Sequence, residues 1–241
     1  MKILLFIGIV LLSGCAAGII HGLVNLAIVE PYLDTAIGIE NKNMFASGEA
    51  DDTSEFWVEY YSYRAWQKSG QILAGGILGT SIGALFGIVF AYSKNMLPGK
   101  HLVKKALVLS IIMWATIYVI PFMKYPANPP TVGDPETIML RQTLYLSFIA
   151  ISGLSAVGFY QIYKRINKKF LAFVGYAAFI SAVFVMMPSN PDTVSVPGDL
   201  LNGFRATSFI AVSVFWLAVS LILGALWQKL QPDRMMQSKL Q

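Results

Sequence analysis

Residues 3–29 read ILLFIGIVLLSGCAAGIIHGLVNLAIV, an unbroken run without Asp, Glu, Lys or Arg. At about 1.5 Å of rise per residue, such a run crosses a hydrocarbon core about 30 Å thick. Lipid offers the backbone no hydrogen-bond partners, so the run must satisfy itself as a helix. Further along the chain five more stretches have the same character: Ile72–Tyr92, Ala106–Met123, Leu144–Tyr163, Phe170–Met187 and Ala206–Trp227. None alternates apolar and polar positions as a barrel strand would. The expectation is an all-α integral membrane protein with six transmembrane helices.

Composition agrees. Of 241 residues 56% are hydrophobic and 13% charged, about half the charged share of a soluble protein. The chain therefore reads as a single polytopic membrane domain over residues 1–241. Its one long polar segment, Glu30 to Gln71, is too short to bury a core of its own. Within it the aromatic-rich residues 53–69 form an interfacial helix or continue the second span outward, with Asp52 and Glu55 in the spacing of an N-terminal cap. The polar stretch over 40–55 reads as mobile, and Pro31 favours a helix end or kink.

With one cysteine, Cys15, no internal disulfide forms. Leu12-Ser13-Gly14-Cys15 matches a lipoprotein cleavage signal, but the apolar run continues well past it. We expect an intact first span in which Cys15 is a packing residue.

The net charge of +5 is unevenly placed. Lys2, Lys94, Lys100, Lys104, Lys105, Lys164, Arg165, Lys168, Lys169, Lys229, Arg234 and Lys239 all fall on one side of a six-span arrangement. Twelve of the 13 acids fall on the other. By the positive-inside rule the basic loops and both termini are cytoplasmic, in a multi-pass protein of the cytoplasmic membrane. The partner of this basic chain is then the lipid bilayer, and no nucleic acid. The segment from Glu30 to Ser69 carries eight acids against three bases, enough to concentrate cations; acidic outer loops also translocate readily.

The last four spans carry an internal repeat. Pro126-Ala-Asn-Pro-Pro-Thr-Val-Gly-Asp-Pro135 aligns with Pro188-Ser-Asn-Pro-Asp-Thr-Val-Ser-Val-Pro197, with Pro, Asn, Pro, Thr, Val and Pro shared. Spans 3–4 and 5–6 then form parallel repeats about an axis along the membrane normal, an interface where transporters often place a site. Arg64, Arg141 and Arg205 each stand at the start of an inward-going span. They extend the pattern to three helical hairpins, although an arginine at a span end also simply snorkels. Asn128 and Asn190 suit turn backbone groups. Together these five hold the outer ends of the hairpins in register. Gly14, Gly18 and Gly22 in the first span, and Gly75, Gly79, Gly83 and Gly87 in the second, strip one face of each helix for close packing.

No H-E-x-x-H, G-x-S-x-G or Walker pattern is present, so no enzyme of those classes is expected. His21 is a titratable group in the outer half of a span, a position that is usually functional. Asn25 lies one turn on, then Glu30 and Asp34. Imidazole and carboxylate suit a borderline divalent ion such as Co²⁺, Ni²⁺ or Zn²⁺. A straight helix, however, sets Glu30 about half a turn from His21. The bland alternative is an interhelical histidine and an interfacial carboxylate. Met123, Met186 and Met187 read as apolar filler.

The run Tyr125-Pro-Ala-Asn-Pro-Pro-Thr-Val-Gly-Asp-Pro-Glu-Thr137 with Arg141, Glu30-Pro31 and Gly203-Phe-Arg-Ala206 resembles the CbtA family of cobalt transporter subunits over nearly the whole chain. The resemblance implies cobalt import linked to cobalamin, with Co²⁺ as substrate and no permanently bound cofactor. It also implies a small single-span partner, CbtB, with a histidine-rich tail. Family members are often described with five spans, against six counted here. The functional expectation is a membrane subunit for divalent transition-metal uptake, with His21, Asn25, Glu30 and Asp34 at the mouth. A non-conducting scaffold or partner-binding subunit is the alternative, since one histidine is a thin lining for an ion path. A membrane enzyme acting on lipid would need a clustered acid–base set that the sequence lacks.

Overall fold

A computed structural model describes residues 2–130, 132–192 and 194–233. Arg234 and Lys239, and the repeated threonines Thr131 and Thr193, lie outside the described residues. The described residues are helical, without strands. Five helical stretches among them are long and apolar enough to cross a membrane: Ile3–Ser47, Ser54–Ser93, Leu102–Lys124, Pro135–Arg165 and Gly198–Leu230. A sixth apolar helix, Phe170–Met186, is shorter. The chain divides into two compact units, residues 1–111 with 202–241, and residues 112–201.

In the first unit α1 (Ile3–Val24) passes through a π turn at Asn25–Val29 into α2 (Glu30–Ser47). Of the helix end or kink expected at Pro31, the end does not occur, and the loop expected from Glu30 is helix as far as Ser47. Proline removes one amide donor and crowds the carbonyl four residues back. A π turn, closed by Glu30 N–H to the Asn25 carbonyl, widens the backbone just before Pro31, and the helix continues. The same device recurs in the second unit. There the π turn Ala115–Val119 closes from Ile120 N–H to Ala115 and immediately precedes Pro121.

Helix α2 ends on Gly48, whose φ of 75° is left-handed. Gly48 N–H bonds to the Phe45 carbonyl at 3.3 Å and Glu49 N–H to that of Met44 at 3.0 Å, the paired bonds of a Schellman stop. Residues 40–47 of the polar stretch thus belong to α2, and a defined turn closes it. Helix α3 (Ser54–Ser93) follows as one 40-residue rod, about 60 Å long and roughly twice the hydrocarbon thickness. Its N-cap is Thr53, whose Oγ1 accepts from Phe56 N–H at 3.2 Å. The expected cap at Asp52 is corrected: Asp52 instead accepts from the Trp57 indole at 2.6 Å.

Helices α1 and α3 meet along the glycines. A Cβ on Gly79 would lie 2.5 Å from the Gly18 Cα, one on Gly83 2.5 Å from the Gly14 Cα, and one on Gly22 2.9 Å from the Ile72 Cα. Backbone lies against backbone here, so no side chain can give way. Helix α4 (Leu102–Trp114) and helix α8 (Gly198–Leu230) touch at a further glycine, where a Cβ on Gly224 would come 2.7 Å from the Val103 Cα. Ser110 Oγ donates to the Trp216 carbonyl at 2.6 Å. At the basic end, fully buried Trp227 packs edge-on against Phe6 and Phe90 and donates its indole N–H to Asp233 at 2.8 Å. Lys94 pairs with the same carboxylate.

In the second unit α5 (Ile120–Lys124) leads through the proline-rich loop to α6 (Ile138–Arg165) and α7 (Phe170–Met186). Its core is Tyr125, Phe148 and Ile180, with Leu144, Tyr176 and Phe184 packed around them. The Ser152 and Tyr176 hydroxyls share a hydrogen bond of 2.9 Å.

Candidate functional site

Beyond the apolar part of α1, the first turns of α2 face the middle of α3 and join in one polar network. Glu30 and Arg64 are nearly closed to solvent, 6% and 7% exposed, and form an ion pair. The same Arg64 Nη2 donates to Asp34 Oδ1 at 2.8 Å, while Nη1 donates to Gln67 Oε1 at 2.6 Å. Lys68 donates to Asp34 Oδ2 at 2.7 Å. Gln71 donates to Glu30 Oε2 at 3.0 Å and accepts from Asn25 Nδ2, also at 3.0 Å.

Helical spacing explains why α3 can do this. Arg64, Gln67, Lys68 and Gln71 are three, four and seven apart, so they stack on one face. Glu30 and Asp34 stack likewise on α2. Partial burial alone would raise the Asp34 carboxyl, but hydrogen bonds and attraction from Lys68 and Arg64 outweigh it and hold it below the usual carboxylate value. Burial disfavours the Arg64 charge, yet Asp34 and Glu30 raise its pKa above the ordinary guanidinium value.

His21 faces another way. Its Nδ1 lies 3.0 Å from the Ala211 carbonyl on α8 and its ring stands edge-on to Phe215 at 6.2 Å. A carbonyl only accepts, so Nδ1 carries a proton and donates it to Ala211. The π turn between His21 and Glu30 holds one extra residue. Nine positions therefore rotate like eight of a straight helix, and the angle between the two side chains falls from about 180° to about 80°. That narrows the separation but does not close it. Among the described residues no three His, Cys, Asp or Glu side chains gather into a metal-binding group. Glu30 and Asp34 do come together, with Arg64 and Lys68 as their partners; Asn25 joins them through Gln71.

Against known proteins, residues 3–228 match the family described as "Probable cobalt transporter subunit (CbtA)". The chain belongs to the CbtA family. No curated protein and no solved structure matches it. As a CbtA chain whose described residues include five helical stretches long and apolar enough to cross a bilayer, it is a multi-pass membrane protein.

Two stretches that carried the resemblance meet in this CbtA chain: Tyr32, just after Glu30-Pro31, lays its ring against Gly203, where a Cβ would stand 2.8 Å from Tyr32 Cζ. Arg205, two residues on, is half-buried. In the second unit the two proline-rich loops meet through Asp192, whose side chain is 1% exposed. It accepts from Asn128 at 3.1 Å and Arg141 Nη1 at 3.0 Å. Asn190 Oδ1 accepts from the Asp192 backbone at 3.2 Å, an Asx turn. Asp192, Gln67, Lys68 and Gln71 escaped the sequence reading. The three on α3 share the helical face of Arg64, which was the available signal. Asp192 occupies a position where the two loop copies differ.

Proposed function

We propose that this CbtA chain is the membrane subunit of a divalent-cation uptake system whose substrate is cobalt, with a link to cobalamin supply. The observation that carries the reading is the family match over residues 3–228. The proposed orientation sets the basic loops and termini in the cytoplasm and the α2–α3 hairpin outside. Helix α7, with 17 residues, is about 26 Å long and serves as a sixth span, which an even count with both termini on one side requires. In this reading the six spans form three hairpins, the second and third of them related as parallel repeats.

Cations collect at the acidic hairpin, reach Glu30 and Asp34, and pass toward Asn25 and His21. Arg141, Arg205, Asn128 and Asn190 keep the outer ends in register. A small single-span histidine-rich subunit of the CbtB kind completes the assembly. Purified chain in liposomes tests this. Saturable Co²⁺ uptake, lost in His21→Ala, is the expected result.

A second reading has its own observation. Glu30 and Asp34 are both engaged by cationic side chains, as a scaffold without a path would allow. Absence of flux from folded protein, restored by adding a partner, selects that reading.

A further inference from the structure

We propose that Arg64 is a built-in cation that occupies the place of the transported divalent ion, so that ion and guanidinium compete for Glu30 and Asp34. This rests on the uptake reading above and specifies how its mouth is guarded. Arginine normally meets a carboxylate with its fork, two parallel N–H···O bonds to one partner. Here a single nitrogen, Nη2, serves both carboxylates. Nε, buried in the same side chain, has no partner among the described residues. The guanidinium is seated by the convergence of two carboxylates on one point and leaves its own donors incompletely used.

Convergence of oxygens on a point is what a compact divalent ion requires. The surroundings supply more oxygen. Gln67 Oε1 already lies 2.6 Å from Arg64 Nη1, while Gln71 turns its Nε2 to Glu30 and holds that carboxylate in place. The site is also graded. Asp34 and Lys68 are 40% and 35% exposed at the side chain, Glu30 and Arg64 only 7% and 9%. An arriving ion meets Asp34 first and displaces Lys68 there. It then displaces Arg64 from Glu30. Charge balances at rest, two carboxylates against two cations, so a divalent ion settles only as those cations withdraw. Monovalent ions at their usual charge density lack the pull to evict a hydrogen-bonded guanidinium, which gives Arg64 a role in selection.

The test is thermal unfolding of the full-length protein in detergent across a Co²⁺ titration. Arg64→Gln leaves Glu30 buried and uncompensated, so its Tm falls without metal. Co²⁺ restores it, with an apparent affinity at least about tenfold tighter than for wild type, because binding stabilises only the folded state and meets no competitor. Arg64→Gln with Glu30→Gln folds without metal and ignores it. Should Arg64→Gln not fold, Lys68→Gln carries the same test at the exposed step, with Co²⁺ response stronger than wild type. An Arg64→Gln or Lys68→Gln protein no more responsive than wild type overturns the proposal, as does a double variant as responsive as Arg64→Gln. Saturable wild-type flux with an unresponsive Arg64→Gln fails this inference alone. A responsive Arg64→Gln without any wild-type flux fails the transport reading alone.

Discussion

Arg141 on α6 and Asp192 in the loop after α7 stand 51 residues apart in sequence and 3.0 Å apart in space. Asn128, from the other proline-rich loop, donates to the same Oδ2, and Tyr125 donates to the Pro188 carbonyl at 2.6 Å. The two similar loops thus clasp one another. The carboxylate that joins them has no counterpart in the other loop, where Pro130 holds the matching position.

Breaking a buried ion pair by removing one partner costs about 3–5 kcal/mol, because the survivor stays desolvated. Arg141 is 26% exposed and can rehydrate in part, so we expect Asp192→Asn to destabilise by about 2–3 kcal/mol. The variant keeps the shape and loses the charge. Unfolding in detergent measures it, and a cycle with Arg141→Met should return most of the loss as coupling. Additive effects would mean that the clasp carries no pair energy.

Glycine substitutions separate the α1–α3 seam from mere helix propensity. Gly79→Ala places a methyl 2.5 Å from the Gly18 Cα, and overpacking against backbone costs about 2–3 kcal/mol. At Gly8 and Gly153 nothing lies within 4 Å of the added carbon. There alanine should stabilise by up to about 1 kcal/mol through helix propensity. Equal Tm values for Gly79→Ala and Gly8→Ala would sink the seam as a stabilising contact.

Of the end or kink read at Pro31 the end does not occur, whereas the apolar run before it is helix as read, and the difference is physical. A run of apolar side chains has one solution in lipid. A proline has two, an end or a widened turn, and the choice depends on what lies beyond. Here α2 continues because Glu30 and Asp34 find Arg64 and Lys68, partners 30 or more residues away that no local pattern contains. The cap moved by one residue for a similar reason: Asp52 was drawn to the Trp57 indole, leaving Thr53 to accept from the first turn. Pairing across helices was legible only as a stack of polar residues on α3.

The π turn at Asn25–Val29 holds one residue more than an α turn would. Deleting Ala27 together with Pro31→Ala should therefore convert it to ordinary helix and keep both flanks in register. Deleting Ala17, fully buried in α1, rotates the glycine face by about 100°. We expect the first protein to unfold within a few degrees of wild type and the second to fail to fold. Comparable damage from both deletions would show that the π turn is not a removable insertion.

Asp34 and Asp233 both have carboxyls held below their ordinary value. Burial raises each, and more than offsetting it are Lys68 and Arg64 for Asp34, and Lys94 and Trp227 for Asp233. A depressed folded pKa gives stability that is full above the unfolded value, about 4, and is lost as pH falls through the folded value. Tm should be flat in these groups from pH 7 to pH 5 and fall below about pH 4. Asp34→Asn should start lower and show a shallower acid slope. An unchanged slope would mean that the Lys68 and Arg64 bonds contribute nothing in solution.

His21 distinguishes packing from passage. Its Nδ1 donates to the Ala211 carbonyl, and an asparagine amide at this position can make the same donation while lacking Nε2. His21→Leu removes both and leaves the carbonyl without its donor, a loss of about 1 kcal/mol or somewhat more. If the imidazole serves the ion, His21→Asn keeps the wild-type Tm and loses Co²⁺ flux in liposomes, while His21→Leu loses both. Full flux in a folded His21→Asn would make the residue an interhelical fastener. The path would then have to be sought away from α1.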